Sequence, residues 1–246
     1  PTRRDYLDEK SAELGRLIRD SDPDGISLDF IRTFVFWEMV YPGRRLDSLP
    51  KSCFDASCLE AFEKATAIAL PNTLRSTRDK AGWILAHHLP EWTTWKCGVI
   101  TRVVESLARE ARRLKPGIMV DVHTVPWRSN DFGGAIRIVA GQDLAAIAPA
   151  VDFISPMCYH HMVKQTPAWI HSVVQDVNTR TGAAVIPSIQ VKEAYIPGPE
   201  SASEFREALV EALKPPSRGV VFWNWAALAE SPEKLAAVRD VVRGRA

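Results

Sequence analysis

Asp24-Gly25-Ile26-Ser27-Leu28-Asp29-Phe30-Ile31-Arg32 is the stretch whose reading decides the fold. Gly25 to Ile31 alternates between apolar and other residues as a strand does on leaving a turn. The turn is Ser21-Asp22-Pro23-Asp24. It ends an amphipathic helix over residues 3–19, in which Leu7, Leu14, Leu17 and Ile18 recur at helical intervals and Thr2 with Asp5 has capping-box spacing.

Four more short strands are predicted, at Ile118–Thr124, Val151–Tyr159, Ala184–Val191 and Gly219–Trp225, each reached after helical sequence. The helices are expected over 56–69, 77–89, 94–114, 139–148, 166–180, 201–214 and 231–243, with a Pro/Gly/Arg-rich loop at 42–52. The segment 94–114 carries one apolar stripe (Val99, Ile100, Val103, Val104, Leu107, Leu114) and stops at Lys115-Pro116-Gly117. Ser201-x-x-Glu204 has capping-box spacing, and Ser231-Pro232 is a helix start. Strand, helix, strand with short polar punctuation is the pattern of parallel βα units, so the class is α/β. A closed (β/α)8 TIM barrel needs eight strands and five are found. Either the sheet is open, or these are the last five βα units of an N-terminally truncated barrel whose first three strands lie upstream of Pro1. The Trp223-Asn224-Trp225 strand and its closing helix favour the barrel. No domain boundary is signalled, and residues 1–246 are read as the C-terminal part of one domain.

Composition narrows the partners. With 46% apolar residues among 246 the chain is read as folded rather than disordered. Its 31 basic and 30 acidic side chains leave a formal charge of +1, which lacks the basic footprint of a nucleic-acid binder. No run of about 18 apolar residues spans a membrane. No signal-peptide pattern follows Pro1; an export signal upstream would make the protein extracellular or periplasmic. Eight tryptophans fit either larger cores or a sugar cleft with flat aromatic walls. Cys53 and Cys58 form either a small-loop disulfide or buried free thiols, and the four cysteines contain no C-x-x-C pair.

Ligands of parallel α/β folds gather at the C-terminal ends of the strands. Asp24 starts its strand and Asp29 ends it, about 16 Å apart at ~3.3 Å per residue, so only Asp29 is placed for chemistry. Asp152 starts its strand and is assigned a structural role. Alternation puts Ser27 with Asp29, Asp121 with His123, Met157 with Tyr159, Ser188 with Gln190, and Trp223 with Trp225. The strand ends thus bring together carboxylates, imidazole, phenol, amide and indole. Glu38 follows in the aromatic loop Phe30–Glu38 and supplies a second acid, or else pairs with Arg32, Arg44 or Arg45. Asp121 either reacts or orients His123. Adjacent histidines (His87-His88, His160-His161) diverge on a helix or strand and make no metal site. Gly133-Gly134 lacks a nucleotide-binding context, and no G-x-S-x-G occurs. No metal and no cofactor are expected.

The stretch Asp24–Arg32 resembles the fourth-strand motif of glycosidase-type TIM barrels, D-G-[apolar]-x-[apolar]-D, and the chain is similar to bacterial hypothetical glycosyl hydrolase barrel families. The likeness extends over Trp37-Glu38, Cys53-Phe-x-x-x-Cys58-Leu-x-x-Phe62, His123-Thr-Val-Pro-Trp127, Asp131-Phe-Gly-Gly-Ala135, Ile154-Ser-Pro-Met-Cys-Tyr159-His160 and Gly219-Val-Val-Phe-Trp223-Asn-Trp225. Asp55 stands where a Cys-Phe-Cys-x-x-Cys pattern has its middle cysteine. Family-18 chitinases are a more distant likeness: Met157-x-Tyr159 matches their M-x-Y, but their acidic D-G-x-D-x-D-x-E falls on Ser27, Asp29 and Ile31, keeping only the middle acid. The resemblance implies that three strands precede the first one here, and it implies a glycoside hydrolase acting on an oligo- or polysaccharide.

The residues assigned on this reading are Asp29 as nucleophile or base and Glu38 as acid, with Asp121 as an alternative second acid. Desolvation by Phe34, Phe36 and Trp37 would raise the Glu38 pKa for that role. Arg32, His123, Tyr159, His160 and Gln190 would bind hydroxyls, and Trp37, Trp127, Trp223 and Trp225 would line the sugar cleft. Two other readings stand beside it: a non-catalytic carbohydrate-binding barrel, and an amidase or deacetylase using His123 with Asp121.

Overall fold

Capping and turn chemistry divide the chain into its elements. The computed structural model describes residues 4–195 and 198–244, so Thr2 of the expected capping pair lies outside the described residues. Helix α1 (Arg4–Ser21) ends at Asp22, whose left-handed backbone (φ 45°) turns the chain into strand β1 (Gly25–Leu28). Asp55 opens α2 (Ala56–Thr66), its carboxylate accepting from the Cys58 N–H at 3.0 Å. A complete capping box between Ser76 and Asp79 opens α3 (Thr77–His87). Helix α4 (Leu89–Leu114) starts before its apolar stripe does, because Pro90 falls in the first turn, where a missing N–H removes no helical bond. Strand β2 (Met119–Thr124) follows.

The single helix expected over 139–148 is replaced by two short ones, α5 (Ala135–Ile138) and α6 (Leu144–Ile147). Between them Gly141 takes φ 70°, and a Cβ there would meet the Lys96 side chain at 3.3 Å. The chain therefore turns at Gly141, and Asp143 caps a new helix by accepting from the Ala146 N–H. Then come β3 (Phe153–Pro156), α7 (Pro167–Thr181), β4 (Ala184–Val185), β5 (Ser188–Gln190), α8 (Ala202–Ala212), β6 (Val221–Trp223), α9 (Trp225–Ala229) and α10 (Pro232–Arg243).

Two strands depart from expectation. Segment 184–191 is split at Ile186-Pro187, where proline has no N–H for a ladder. Segment 151–159 keeps its ladder only as far as Pro156, with one isolated bridge at Met157. Beyond it the N–H groups of Cys158, Tyr159 and His160 each donate to the carbonyl two residues back, at 2.8–2.9 Å, and the backbone coils out of strand geometry.

All ladders are parallel, as the βα reading requires. The order is β1-β2-β3-β4 in one sheet and β5-β6 in the other, joined by bridges Met157–Ser188 and Val185–Ser217. Among the described residues no ladder joins β6 to β1, so each keeps one edge unpaired. The main core sets Ile26, Leu28, Val120, Val122, Ile154, Val185 and Ile189 of the strands beneath buried faces of α4, α7 and α8. A satellite core packs Phe54, Leu59, Phe62 and Ile84 against Trp92 and Trp95 on the first turns of α4. Five of the eight tryptophans (Trp37, Trp92, Trp95, Trp127, Trp169) are buried, so the tryptophan excess mainly serves packing. At the N-terminal end of the strands, Asp152 accepts from the Val120 N–H (2.7 Å) and from Arg112 (3.0 Å), a structural role. No helix among the described residues is long and apolar enough to cross a membrane.

Candidate active site

The site starts where β1 stops. Phe30 takes φ 56°, its N–H donates to Asp29 Oδ1 at 2.6 Å, and the Arg32 N–H closes a tight turn onto the Phe30 carbonyl at 2.8 Å. This fixes the Asp29 carboxylate at the strand end and turns Phe30 out to solvent, 74% exposed. On β2, Val120, Val122 and Thr124 are buried on one face, while Asp121 and His123 share the other. Register sets Ser27 opposite Asp121, and the Ser27 hydroxyl donates to Asp121 Oδ2 at 2.7 Å.

These placements bracket one imidazole between two acids. His123 Nδ1 lies 3.8 Å from Asp29 Oδ2, and Nε2 lies 3.7 Å from Asp121 Oδ2. Burial works against both charged forms, raising an acid and lowering a base. For Asp29 it is outweighed by His123, the Phe30 N–H and Arg32, which hold the carboxyl below its usual range. For His123 it is outweighed by Asp29 and Asp121, which hold the imidazole above its usual value.

Arg32 and Glu38 form the next layer. The guanidinium stands 3.7 Å from Glu38 Oε1 and 4.7 Å from the Phe30 ring centroid, and both side chains of the ion pair are largely buried. Glu38 sits in the 3-10 turn Trp37–Met39 and, with Arg32, Phe30, Phe34, Phe36 and Tyr195, lines a cleft of about 220 Å³. Tyr159 is buried behind the loop, against Trp37. Its ring stacks on Trp223 (centroids 5.1 Å, 22°), its hydroxyl lies 3.4 Å from Ser188 Oγ, and burial pushes the phenol well up, keeping it neutral. Glu38 Oε2, Asp121 Oδ1 and His123 Nε2 are buried without a protein hydrogen-bond partner. Each such group costs about 1–3 kcal/mol unless a ligand or solvent supplies the bond.

Not every expected residue joins them. Trp37 (1% exposed) and Trp127 (2%) belong to the core: the 3-10 turn folds Trp37 inward against Tyr159 while Phe34 and Phe36 point outward, and Trp127 packs on Phe132. Neither offers an open ring face to a sugar. His160, fully buried, turns to Glu204 (3.2 Å), because the coiled backbone after Pro156 breaks the alternation that placed it at the strand end. Gln190 braces backbone instead, accepting from the Met162 N–H and donating to the Lys192 carbonyl. Trp225 is exposed on the first turn of α9, and Trp223 is half-buried. Phe30 and Tyr195 join the cleft wall through loop conformation, which local pattern does not mark. Among the described residues the group of His, Cys, Asp or Glu with metal-ligand spacing is Cys53, Asp55 and Cys58, outside this cleft.

The fold has counterparts in solved structures. The glycoside hydrolase domain of PgaB (BpsB) from Bordetella bronchiseptica superposes with TM-score 0.69 at 14% identity over 96% of this chain. The two share a fold. The catalytic domain of β-amylase from Paenibacillus polymyxa gives TM-score 0.62 at 12% identity over 98%, and a β-galactosidase from Marinomonas ef1 gives 0.56 at 9% over 91%. This chain spans 62%, 68% and 38% of those three chains, respectively. No protein-family model and no curated protein matches it.

Proposed function

We propose that the protein is a glycoside hydrolase acting on an oligo- or polysaccharide, with Asp29 as nucleophile or base. The observation that carries this reading is the meeting of Asp29, Asp121 and His123 at the C-terminal ends of adjacent parallel strands, beside the Arg32–Glu38 pair. Glycoside hydrolysis needs two carboxyl groups flanking the scissile bond. Glu38 is assigned as the second acid, and Asp121 is the alternative. His123 and Tyr159 bind hydroxyls, Trp223 and Trp225 supply sugar-stacking faces, and Arg32 holds Glu38 in place. On this reading β1, β2, β3, the split strand β4–β5 and β6 are five of the eight strands of one barrel domain, with β1 in fourth place, and the unpaired β1 edge is where the third would lie.

The test is release of reducing ends from a panel of polysaccharides. Asp29→Asn should lower kcat by about 10²- to 10⁴-fold while the fold survives. Unchanged turnover in that variant overturns the assignment. The bracketing of His123 by two carboxylates favours one second reading, an amidase or deacetylase working through His123 and Asp121. Acetate or amine release without new reducing ends would select it.

A further inference from the structure

Outside the cleft, the loop 49–54 and the first turn of α2 bring together a cysteine pair that the proposed hydrolysis does not use. Cys53 and Cys58 have their Sγ atoms 2.7 Å apart, against about 2.05 Å for a covalent S–S bond. No disulfide joins them here. The approach is built by the local fold. Cys53 takes the left-handed region (φ 80°), which a non-glycine residue seldom occupies, and Cys58 is fixed on the first turn of α2 by the Asp55 cap. Cys53 is half-buried, whereas Cys58 is 2% exposed and packed in the satellite core.

We propose that Cys53 and Cys58 are an oxidisable dithiol that closes to an intramolecular disulfide in the presence of a low-molecular-weight disulfide. Cys53, the accessible member, is the attacking thiol, and the hydrogen bond from Cys58 brings its pKa down to about 7, which populates the thiolate at neutral pH. Its sulfur attacks one sulfur of the small disulfide, and the departing thiolate takes up a proton. Cys58 then loses its proton and attacks the Cys53 sulfur of the mixed disulfide, expelling the second small thiol. The balance is one protein dithiol and one small disulfide converted to one protein disulfide and two small thiols. Neighbouring Ser52 donates to the Phe34 carbonyl at 2.8 Å, so the bond would tie the strap beneath the aromatic loop to α2. Asp55 is engaged at the cap, which leaves the pair better matched to each other than to a three-ligand metal site.

The experiment treats the folded chain with oxidised glutathione, alkylates it under native conditions and maps peptides by mass. A Cys53–Cys58 link, with the intact mass lower by two hydrogens, is expected, while the buried Cys97 and Cys158 stay reduced and alkylate only after denaturation. In Cys58→Ser the glutathione should remain on Cys53 as a stable mixed disulfide, which needs no disulfide-bonded fold to be read. Native alkylation of both Cys53 and Cys58 after oxidation overturns the proposal. So does a glutathione adduct that persists on Cys53 in the unaltered chain, or zinc that binds the reduced chain and blocks the link stoichiometrically.

Discussion

His123 Nδ1 lies 3.8 Å from Asp29 Oδ2, a contact between the second strand and the turn after the first that sets an imidazole against a carboxylate at the strand ends. Ninety-four positions separate Ser27 from Asp121, yet their hydrogen bond comes from the same β1–β2 register, so the parallel pairing is what assembles the charges.

The pair has a definite pH signature. His123 is raised, so its contribution to stability is complete below the unfolded imidazole value and is lost as pH rises through the folded one. Asp29 is lowered, so its contribution is present above the unfolded carboxyl value and is lost as pH falls through the folded one. The two overlap between about pH 4 and 6.5. The melting-temperature difference between the unaltered chain and Asp29→Asn should be largest in that window, and NMR titration should find His123 less basic in the variant. A difference that does not vary with pH would contradict the contact.

Aromatic residues of the cleft and of the core should separate cleanly. Trp37→Ala removes a side chain 1% exposed and should cost about 3–5 kcal/mol in urea unfolding. Trp225 is 69% exposed, so Trp225→Ala should leave the unfolding midpoint unchanged and weaken oligosaccharide binding by about 0.5–1.5 kcal/mol, read by calorimetry. Equal stability losses would place Trp225 in the core; unaltered binding would remove it from the cleft.

Periodicity made β1, β2 and the long helix α4 legible, because alternation and a helical apolar stripe are properties of contiguous residues. It also fixed Asp121 and His123 on one strand face, and alternation along a real strand preserved that relation. The same rule misled at Tyr159-His160, since β3 ends at Pro156 and the chain coils in successive tight turns. The burial of Trp37 and Trp127 depends on how two loops fold back on the sheet, which no local pattern encodes. Glu204 illustrates a third limit. Its spacing from Ser201 marks a capping box, and the Ser201 hydroxyl does accept from the Glu204 N–H, but the Glu204 carboxylate is drawn to His160 and His161 instead.

That histidine cluster is anchored by a buried ion pair. Lys234 Nζ lies 2.9 Å from Glu200 Oε2 and also donates to the Val191 carbonyl, and the Glu200 side chain is fully buried. Lys234→Met leaves an acid in the interior without its cation and should cost about 3–5 kcal/mol. Adding Glu200→Leu should recover much of that loss, since a well-packed apolar pair often replaces a buried ion pair at little cost. Urea unfolding of the two variants distinguishes this from simple loss of packing, in which the double variant would be the worse.

His160 gives the cluster an acid limit. Burial lowers its pKa to about 4 against the pull of Glu204, with Lys234 and His161 adding positive charge beside it and Glu200 Oε1 3.7 Å away. An unfolded histidine titrates near 6.5, so between about pH 4 and 6.5 the unfolded chain binds the extra proton and stability falls as the solution is acidified. The loss across that range is roughly 3 kcal/mol at 1.36 kcal/mol per pKa unit. His161 has the opposite slope, because Glu204 and the Gly198 carbonyl raise its pKa despite burial, and its contribution is lost as pH rises. His160→Gln should therefore flatten the unfolding free energy between pH 6.5 and 4, whereas His161→Gln should leave that range little changed and remove a fall in stability above pH 6.5. A His160 resonance titrating near 6.5 in the folded chain would remove the basis for the first.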